Sequence, residues 1–230
     1  MKTAMKPIFL ALSFVVLTAG LILAAEKAKD EYAWQPLFDG KTLDGWTVPV
    51  YGGDGEVSVK DGHLVIGQGA MMTGVKYEKV FPKINYEIRY EAKRNQGHDF
   101  FAACTFPVGD SCCTFVNGGW GGGVTGLSSV NGYDASENQT GSYFSYRDNQ
   151  WYRFRIRVTG PAIRVWVEEE TKEGKRKETL VIDLETKDKK ISLRNETSKY
   201  QPLGICTWIT EGELRNLEYR KLKPEEVDVF

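Results

Sequence analysis

The chain has 230 residues, 41% of them hydrophobic and 27% charged, with 30 Lys and Arg against 31 Asp and Glu. A net charge of -1 leaves no basic footprint for nucleic acid, and the apolar share is too high for a disordered chain. Aromatics at 12% and 24 glycines, above the usual share of ~7%, suit β-structure and a neutral ligand.

Lys2 and Lys6 precede an apolar run from Ile8 to Ala25, interrupted only by Ser13, Thr18 and Gly20, and Leu23-Ala24-Ala25 then supplies small residues before Glu26. That order is a secretory signal peptide over residues 1–25. The competing reading is an uncleaved anchor, since the run approaches the ~20 residues that span a bilayer. Cleavage would remove two lysines and no acid, leaving 28 basic against 31 acidic side chains. The expected location is secreted or periplasmic, with no membrane insertion after cleavage.

From residue 34 onward, short runs with period-2 alternation are separated by Gly, Asp, Asn and Pro. Ile84, Tyr86, Ile88, Tyr90 and Ala92 share one face, with Glu87, Arg89 and Glu91 on the other. Tyr152, Phe154, Ile156 and Val158 alternate with Arg153, Arg155 and Arg157. Gly160-Pro161 reads as a hairpin turn before Ile163, Val165 and Val167, and Leu180 and Ile182 continue the pattern beyond Lys172-Glu173-Gly174-Lys175. Leu214, Leu217, Tyr219 and Leu222 mark a last, less regular strand. These are half-buried antiparallel strands with no competing 3.6-residue period, which predicts an all-β sandwich or barrel over residues 34–223. Lys187 to Tyr200 reads as a polar loop, Pro224 to Phe230 as an acidic tail, and Lys172, Lys175, Arg176 and Lys177 as a solvated hairpin tip.

Cys104, Cys112, Cys113 and Cys206 allow three pairings. Pro107-Val108-Gly109-Asp110 looks like a turn, and a hairpin centred there would set Cys104 opposite Cys112 or Cys113. One cross-strand disulfide is expected inside that hairpin, since export permits oxidation. No C-x-x-C pair marks a metal site.

Two ends of the chain carry a family pattern: Pro36-Leu-Phe-Asp-Gly-Lys-Thr-Leu-Asp-Gly-Trp46 and Gly212-Glu-Leu-Arg-Asn-Leu-Glu-Tyr-Arg-Lys-Leu222, with Gln150-Trp-Tyr-Arg-Phe-Arg-Ile-Arg-Val158 between them. Together they resemble the 3-keto-disaccharide hydrolase family. The resemblance implies a concanavalin A-like jelly roll and activity on glycosides whose 3-hydroxyl has become a ketone. That ketone acidifies the C2 hydrogen; a base removes it, the enolate expels the C1 substituent, and water adds. Such chemistry needs a base of near-neutral pKa and a donor for the enolate oxygen. In the middle, Gly97-His-Asp-Phe-Phe-Ala-Ala-Cys-Thr-Phe-Pro-Val-Gly-Asp110 departs from the family, whose members carry Gly and Arg on one strand and Glu and Gln on another. The chain reads as a distinct secreted subgroup, and no family catalytic residue carries over.

The candidate site therefore comes from the residues themselves. His98 and Asp99 could act as a base or bind a metal, against the bland reading of His98 as a surface turn residue. Trp120 stands among Gly118, Gly119, Gly121, Gly122 and Gly123, where a backbone can approach a ligand and an indole can stack on a sugar. Tyr133, Asp134, Glu137 and Asn138 form a polar cluster, either an ordinary turn or a carboxylate pair that could hold calcium. His98, Asp99 and Glu137 are the catalytic candidates, with Trp120, Tyr133, Asp134 and Asn138 on the substrate. The cofactor is left open beyond that calcium. His63 and Asp110 read as turn residues. Glu87 and Glu91, on the solvent face, and the consecutive Glu168-Glu169-Glu170 do not frame a glycosidic bond. Two main functions remain, a sugar-active hydrolase or lyase and a non-catalytic carbohydrate-binding or adhesion domain, with a structural envelope protein that has no small ligand as a weaker third. The partner in the two main readings is a carbohydrate or glycoside.

Overall fold

A computed structural model describes residues 30–171 and 173–227. The expected signal peptide, Lys172 and the last three residues of the tail lie outside the described residues. The strands are β1 (Gln35–Pro36), β2 (Trp46–Thr47), β3 (Val57–Lys60), β4 (His63–Ile66), β5 (Met72–Tyr77), β6 (Tyr86–Gly97), β7 (Ala103–Val108) and β8 (Ser111–Gly118). They continue with β9 (Val124–Ser128), β10 (Ser142–Tyr143), β11 (Tyr152–Val158), β12 (Ala162–Glu170), β13 (Arg176–Glu185), β14 (Gly204–Trp208) and β15 (Thr210–Lys221). They form two antiparallel sheets. One runs β13-β12-β11-β6-β15-β4-β3, with β1 also on β15; the other runs β10-β9-β8-β7-β14-β5-β2. The architecture is the all-β sandwich that the alternation predicts.

The long strands obey their period. On β11, Tyr152, Phe154, Ile156 and Val158 are fully buried, as are Tyr86, Ile88, Tyr90 and Ala92 on β6. They face Cys104, Phe106, Cys113, Phe115, Leu127 and Ile205 from the other sheet. Each fully buried Phe or Ile contributes about 1.5–3 kcal/mol. Two core tyrosines also bridge the layers: Tyr86 Oη donates to Pro107 O at 2.5 Å and Tyr90 Oη to Ala102 O at 2.9 Å. A buried phenol would otherwise lack a partner.

The two end motifs meet in space. β1 pairs with β15, Leu37 N donates to Leu217 O, and the buried Trp46 indole donates to Leu37 O at 2.8 Å. Asp39 ties the intervening turn by accepting from the N–H groups of Lys41 and Thr42.

Several expectations need correction. The β7–β8 hairpin exists, but its tight turn pairs Cys104 with Phe115 and Cys112 with Pro107, so the expected disulfide has no register to form in. All four cysteines are free thiols. Leu180 points outward, 45% exposed, because a β-bulge between Val165 and Trp166 shifts the β12–β13 register and puts it opposite Trp166. Ile84 precedes β6 and is exposed. Lys187–Tyr200 is not all loop, since a 3-10 helix occupies Asn195–Tyr200, and the start of the acidic tail forms a short helix, Pro224–Val227. Glu87 and Glu91 do sit on the outer face, yet they are 1% and 5% exposed, covered by arginines. Glu87 binds Arg155, Arg157 and Arg220; Glu91 binds Arg153 and Arg215.

Candidate functional site

On the outer face of the seven-stranded sheet lies a cavity of about 250 Å³, just under the ~300–1,000 Å³ common for ligand clefts and in the size class of one sugar ring. Strand alternation builds its floor. Phe115 and Cys113 point into the core, so Thr114 and Val116 on β8 point out into the cavity. Met72 at the start of β5, Ser128 at the end of β9 and Trp208 at the end of β14 join them. Asp99 and Phe100 arrive from the β6–β7 connection, Trp120 from the β8–β9 connection, and Arg194, Glu196 and Thr197 from the start of the 3-10 helix.

Left-handed or glycine-only backbone shapes two of these connections. Gly97 has φ +94°, and a Cβ there would lie 2.6 Å from the Ile209 carbonyl oxygen, so the chain turns into Asp99 only with glycine at this point. Trp120 itself takes φ 50°, ψ 51°, a left-handed conformation that costs a bulky residue of order 1–3 kcal/mol. Asp99 holds the loop in place: its Oδ1 accepts from Phe100 N at 2.8 Å and its Oδ2 from Gly121 N at 3.0 Å. Trp120 is left 46% exposed at the cavity.

The charged wall centres on Arg194. Its Nε and Nη2 donate to the two carboxylate oxygens of Glu196 at 3.2 and 3.0 Å, and its Nη1 donates to Asp134 Oδ2 at 2.5 Å. Asp134 Oδ1 accepts in turn from the Ser128 hydroxyl at 3.0 Å. The Glu196 carboxyl is held below the usual range by the Arg194 hydrogen bond, and Arg194 is raised first by the same bond. Three of the five guanidinium N–H groups are engaged among the described residues, which leaves two for a ligand.

Of the sequence candidates, Asp99 and Trp120 line the cavity. Asp134 stands behind it on Arg194, and Glu137 is exposed, near enough for its charge to raise Arg194. His98 and Tyr133 are exposed and do not line it. Asn138 is a loop staple: its Nδ2 donates to the carbonyls of Leu127 and Asp134, both at 2.7 Å, and its Oδ1 accepts from Thr140. His63 pairs with Glu213 and packs edge-on against Trp151, on the other sheet. Among the described residues no group of three or more His, Cys, Asp or Glu is placed to hold a metal ion. Asp134's oxygens, the best hope for calcium, are turned to hydroxyl and guanidinium donors instead.

Arg194, Glu196, Trp208, Met72, Thr114 and Ser128 escaped the sequence reading. Arg194 and Glu196 sit in an aperiodic polar stretch with no motif to flag them. Thr114 and Ser128 are small residues on strands that read as ordinary alternation. Only Trp208 gave a signal, as one of 6 tryptophans, on a strand next to Cys206.

The comparisons agree with this architecture. The pattern of the 3-keto-alpha-glucoside-1,2-lyase-like domain matches residues 33–220. The VIP36 exoplasmic/lumenal domain, solved in a Ca2+/Man-bound form, superposes with a TM-score of 0.53 at 11% identity, over 84% of this chain and 91% of that one. The carbohydrate binding module CBM66 from Bacillus subtilis gives 0.50 at 10% identity, over 77% and 96%. No curated protein matches the chain in sequence. At such identities the solved structures speak for the fold. Among the described residues no helix is long and apolar enough to cross a membrane.

Proposed function

The chain belongs to the 3-keto-alpha-glucoside-1,2-lyase-like domain family, and on that premise we propose that it recognises carbohydrate by seating one sugar ring in the cavity between Trp120 and Trp208. The observation that carries this is the pairing of two indoles with an arginine that keeps two donors spare, around a space of about one ring. An indole offers an apolar platform to the C–H face of a sugar, and Arg194, Thr197 and Ser128 offer hydrogen bonds to its hydroxyls. The similar VIP36 domain was solved in a Ca2+/Man-bound form and the Bacillus subtilis protein is a carbohydrate binding module, which supports a sugar as ligand. The apolar run at Ile8 to Ala25 supports action outside the cytoplasm.

Binding is put ahead of turnover because the carboxylates at the cavity are occupied. Glu196 is held as a weak base by Arg194, and Asp99 accepts two backbone N–H groups. A second reading, elimination on 3-keto-glycosides, is supported by the family and by the two spare N–H groups of Arg194, which could face an enolate oxygen. There the proton at C2 would go to Asp99, the one of the three catalytic candidates that lines the cavity. Calorimetric titration with a panel of neutral mono- and disaccharides and their 3-keto forms tests both. Saturable binding lost in Trp120→Ala supports recognition; release of the C1 substituent from a 3-keto-glucoside, abolished in Arg194→Ala, would move the second reading to the front. No binding of any member of the panel sinks both.

A further inference from the structure

The charges around the cavity do not balance, and their excess points to a class of sugar. Arg194 is the cationic member of its lining, against Asp99 and Glu196. That guanidinium is already shared, for Glu196 takes it through two bonds and Asp134 through a third. Glu137 adds a carboxylate whose charge reaches the same arginine. Three carboxylates thus bear on one cation and Asp99 adds a fourth at the lining, and among the described residues no lysine or second arginine forms an ion pair with any of the four. Asp99 is partly screened by the N–H groups of Phe100 and Gly121, which are dipoles and not charges.

The walls push in the same direction. Trp120 and Trp208 both line the space, and an indole attracts a cation placed over its ring within about 6 Å. Met72, Phe100 and Val116 add apolar surface to the lining beside these charges. A carboxylate or phosphate on the ligand would meet an excess of like charge here, whereas an ammonium would find both carboxylate oxygens and indole rings. The neutral ligand that whole-chain composition suits is thereby narrowed by local charge.

We propose that the cavity takes a sugar ring bearing a protonated amine, a non-acetylated hexosamine at the end of a glycan, and turns away uronate and phosphorylated sugars. The inference rests on the single-ring reading above and deepens it.

The test is a titration followed by calorimetry and tryptophan fluorescence, at mildly acidic pH and low salt. The ligands are a β-1,4-glucosamine tetramer, its fully N-acetylated counterpart and a galacturonate tetramer. The amino oligomer is expected to bind at least about tenfold tighter than the acetylated one, and the uronate not at all. The preference is expected to shrink several-fold at high salt, where the screening length falls toward ~3 Å. Glu196→Gln and Asp134→Asn are each expected to lower the amino-to-acetyl affinity ratio in protein whose melting transition remains cooperative. Equal affinities for the amino and acetylated oligomers, both lost in Trp120→Ala, overturn the charge assignment and leave sugar recognition standing. Tightest binding by the uronate overturns it as well. Amino-oligomer binding that survives Trp120→Ala is a surface ionic effect and also overturns it. No binding by any oligomer overturns this inference and the reading beneath it.

Discussion

The two outer faces of the sandwich use the same kinds of residue to opposite ends. On the eight-stranded sheet, arginines and glutamates alternate across β6, β11, β12 and β15 and neutralise one another. Arg155 spans Glu87 and Glu178, Arg153 spans Glu91 and Glu168, and Arg155 and Arg215 also lie 3.8 and 4.0 Å from the ring centres of Trp166 and Trp151. That face satisfies itself. On the seven-stranded sheet, one arginine answers to three carboxylates and lines a cavity together with Asp99, Trp120 and Trp208. A face becomes a site through what it leaves unmatched, so counting charged or aromatic residues does not tell the two apart.

The sharpest way to break the comparison is to unbalance the balanced face. Glu87→Ala removes the carboxylate that three guanidiniums share and leaves them partly buried without it. A loss of about 3–5 kcal/mol is expected in urea unfolding. Acid should act on the same lattice. Burial pushes the carboxyls of Glu87 and Glu91 up, but the hydrogen bonds and charges of Arg157 and Arg220, and of Arg153 and Arg215, outweigh it and hold both below the usual value of 4.5. Groups depressed in the folded state stabilise it above their unfolded pKa. Stability should therefore be level above about pH 5.5 and fall below about pH 4.5, as protons bind the unfolded chain first. Thermal melts across pH 3 to 7 check this, and Glu87→Gln should flatten the slope.

On the unbalanced face the expected effects are on binding more than on stability. Trp120→Gly should abolish sugar binding and yet change stability by less than about 1 kcal/mol, since relief of the left-handed conformation offsets the added chain freedom. Asp99→Ala frees the N–H groups of Phe100 and Gly121 and should cost about 1 kcal/mol. It should also shift Trp120 fluorescence, because the loop loses its tie. The smallest effect concerns the thiols. Cys112, half-buried, should react slowly with a thiol reagent in the native protein. Burial pushes Cys113 up to about 12 and Cys104 and Cys206 higher still, so those three should react only after unfolding. Titration of fewer than four thiols in denaturant without reductant would contradict the free-thiol state.

Legibility in the sequence followed the range of the interaction involved. Tyr152 to Val158 declared its buried face because alternation is local, as did Tyr86 to Ala92. Leu180 misled because Val181 is an extra residue bulged out of its strand, and only the pairing with β12 reveals that break in the alternation. Cys104 misled because a two- or three-residue change in hairpin register decides its partner. Trp120 was found as a candidate through the glycines beside it, and Asp99 as the neighbour of His98, one of 2 histidines. Their connection, a carboxylate fastening the loop that presents the indole, spans 22 residues and has no sequence signature.

What the sequence determined by itself was the all-β class, the faces of its long strands, and the family pattern at its two ends, which β1 and β15 bring together as neighbours. All of these depend on periodicity or on contiguous motifs. The tertiary structure decided which charges cancel and which remain. Arg194 and Asp134 are 60 residues apart, and only folding shows that one face closes its charge balance while the other leaves an acidic excess around a cavity lined by two tryptophans. Coulomb interactions depend on distance in space, which local pattern does not encode.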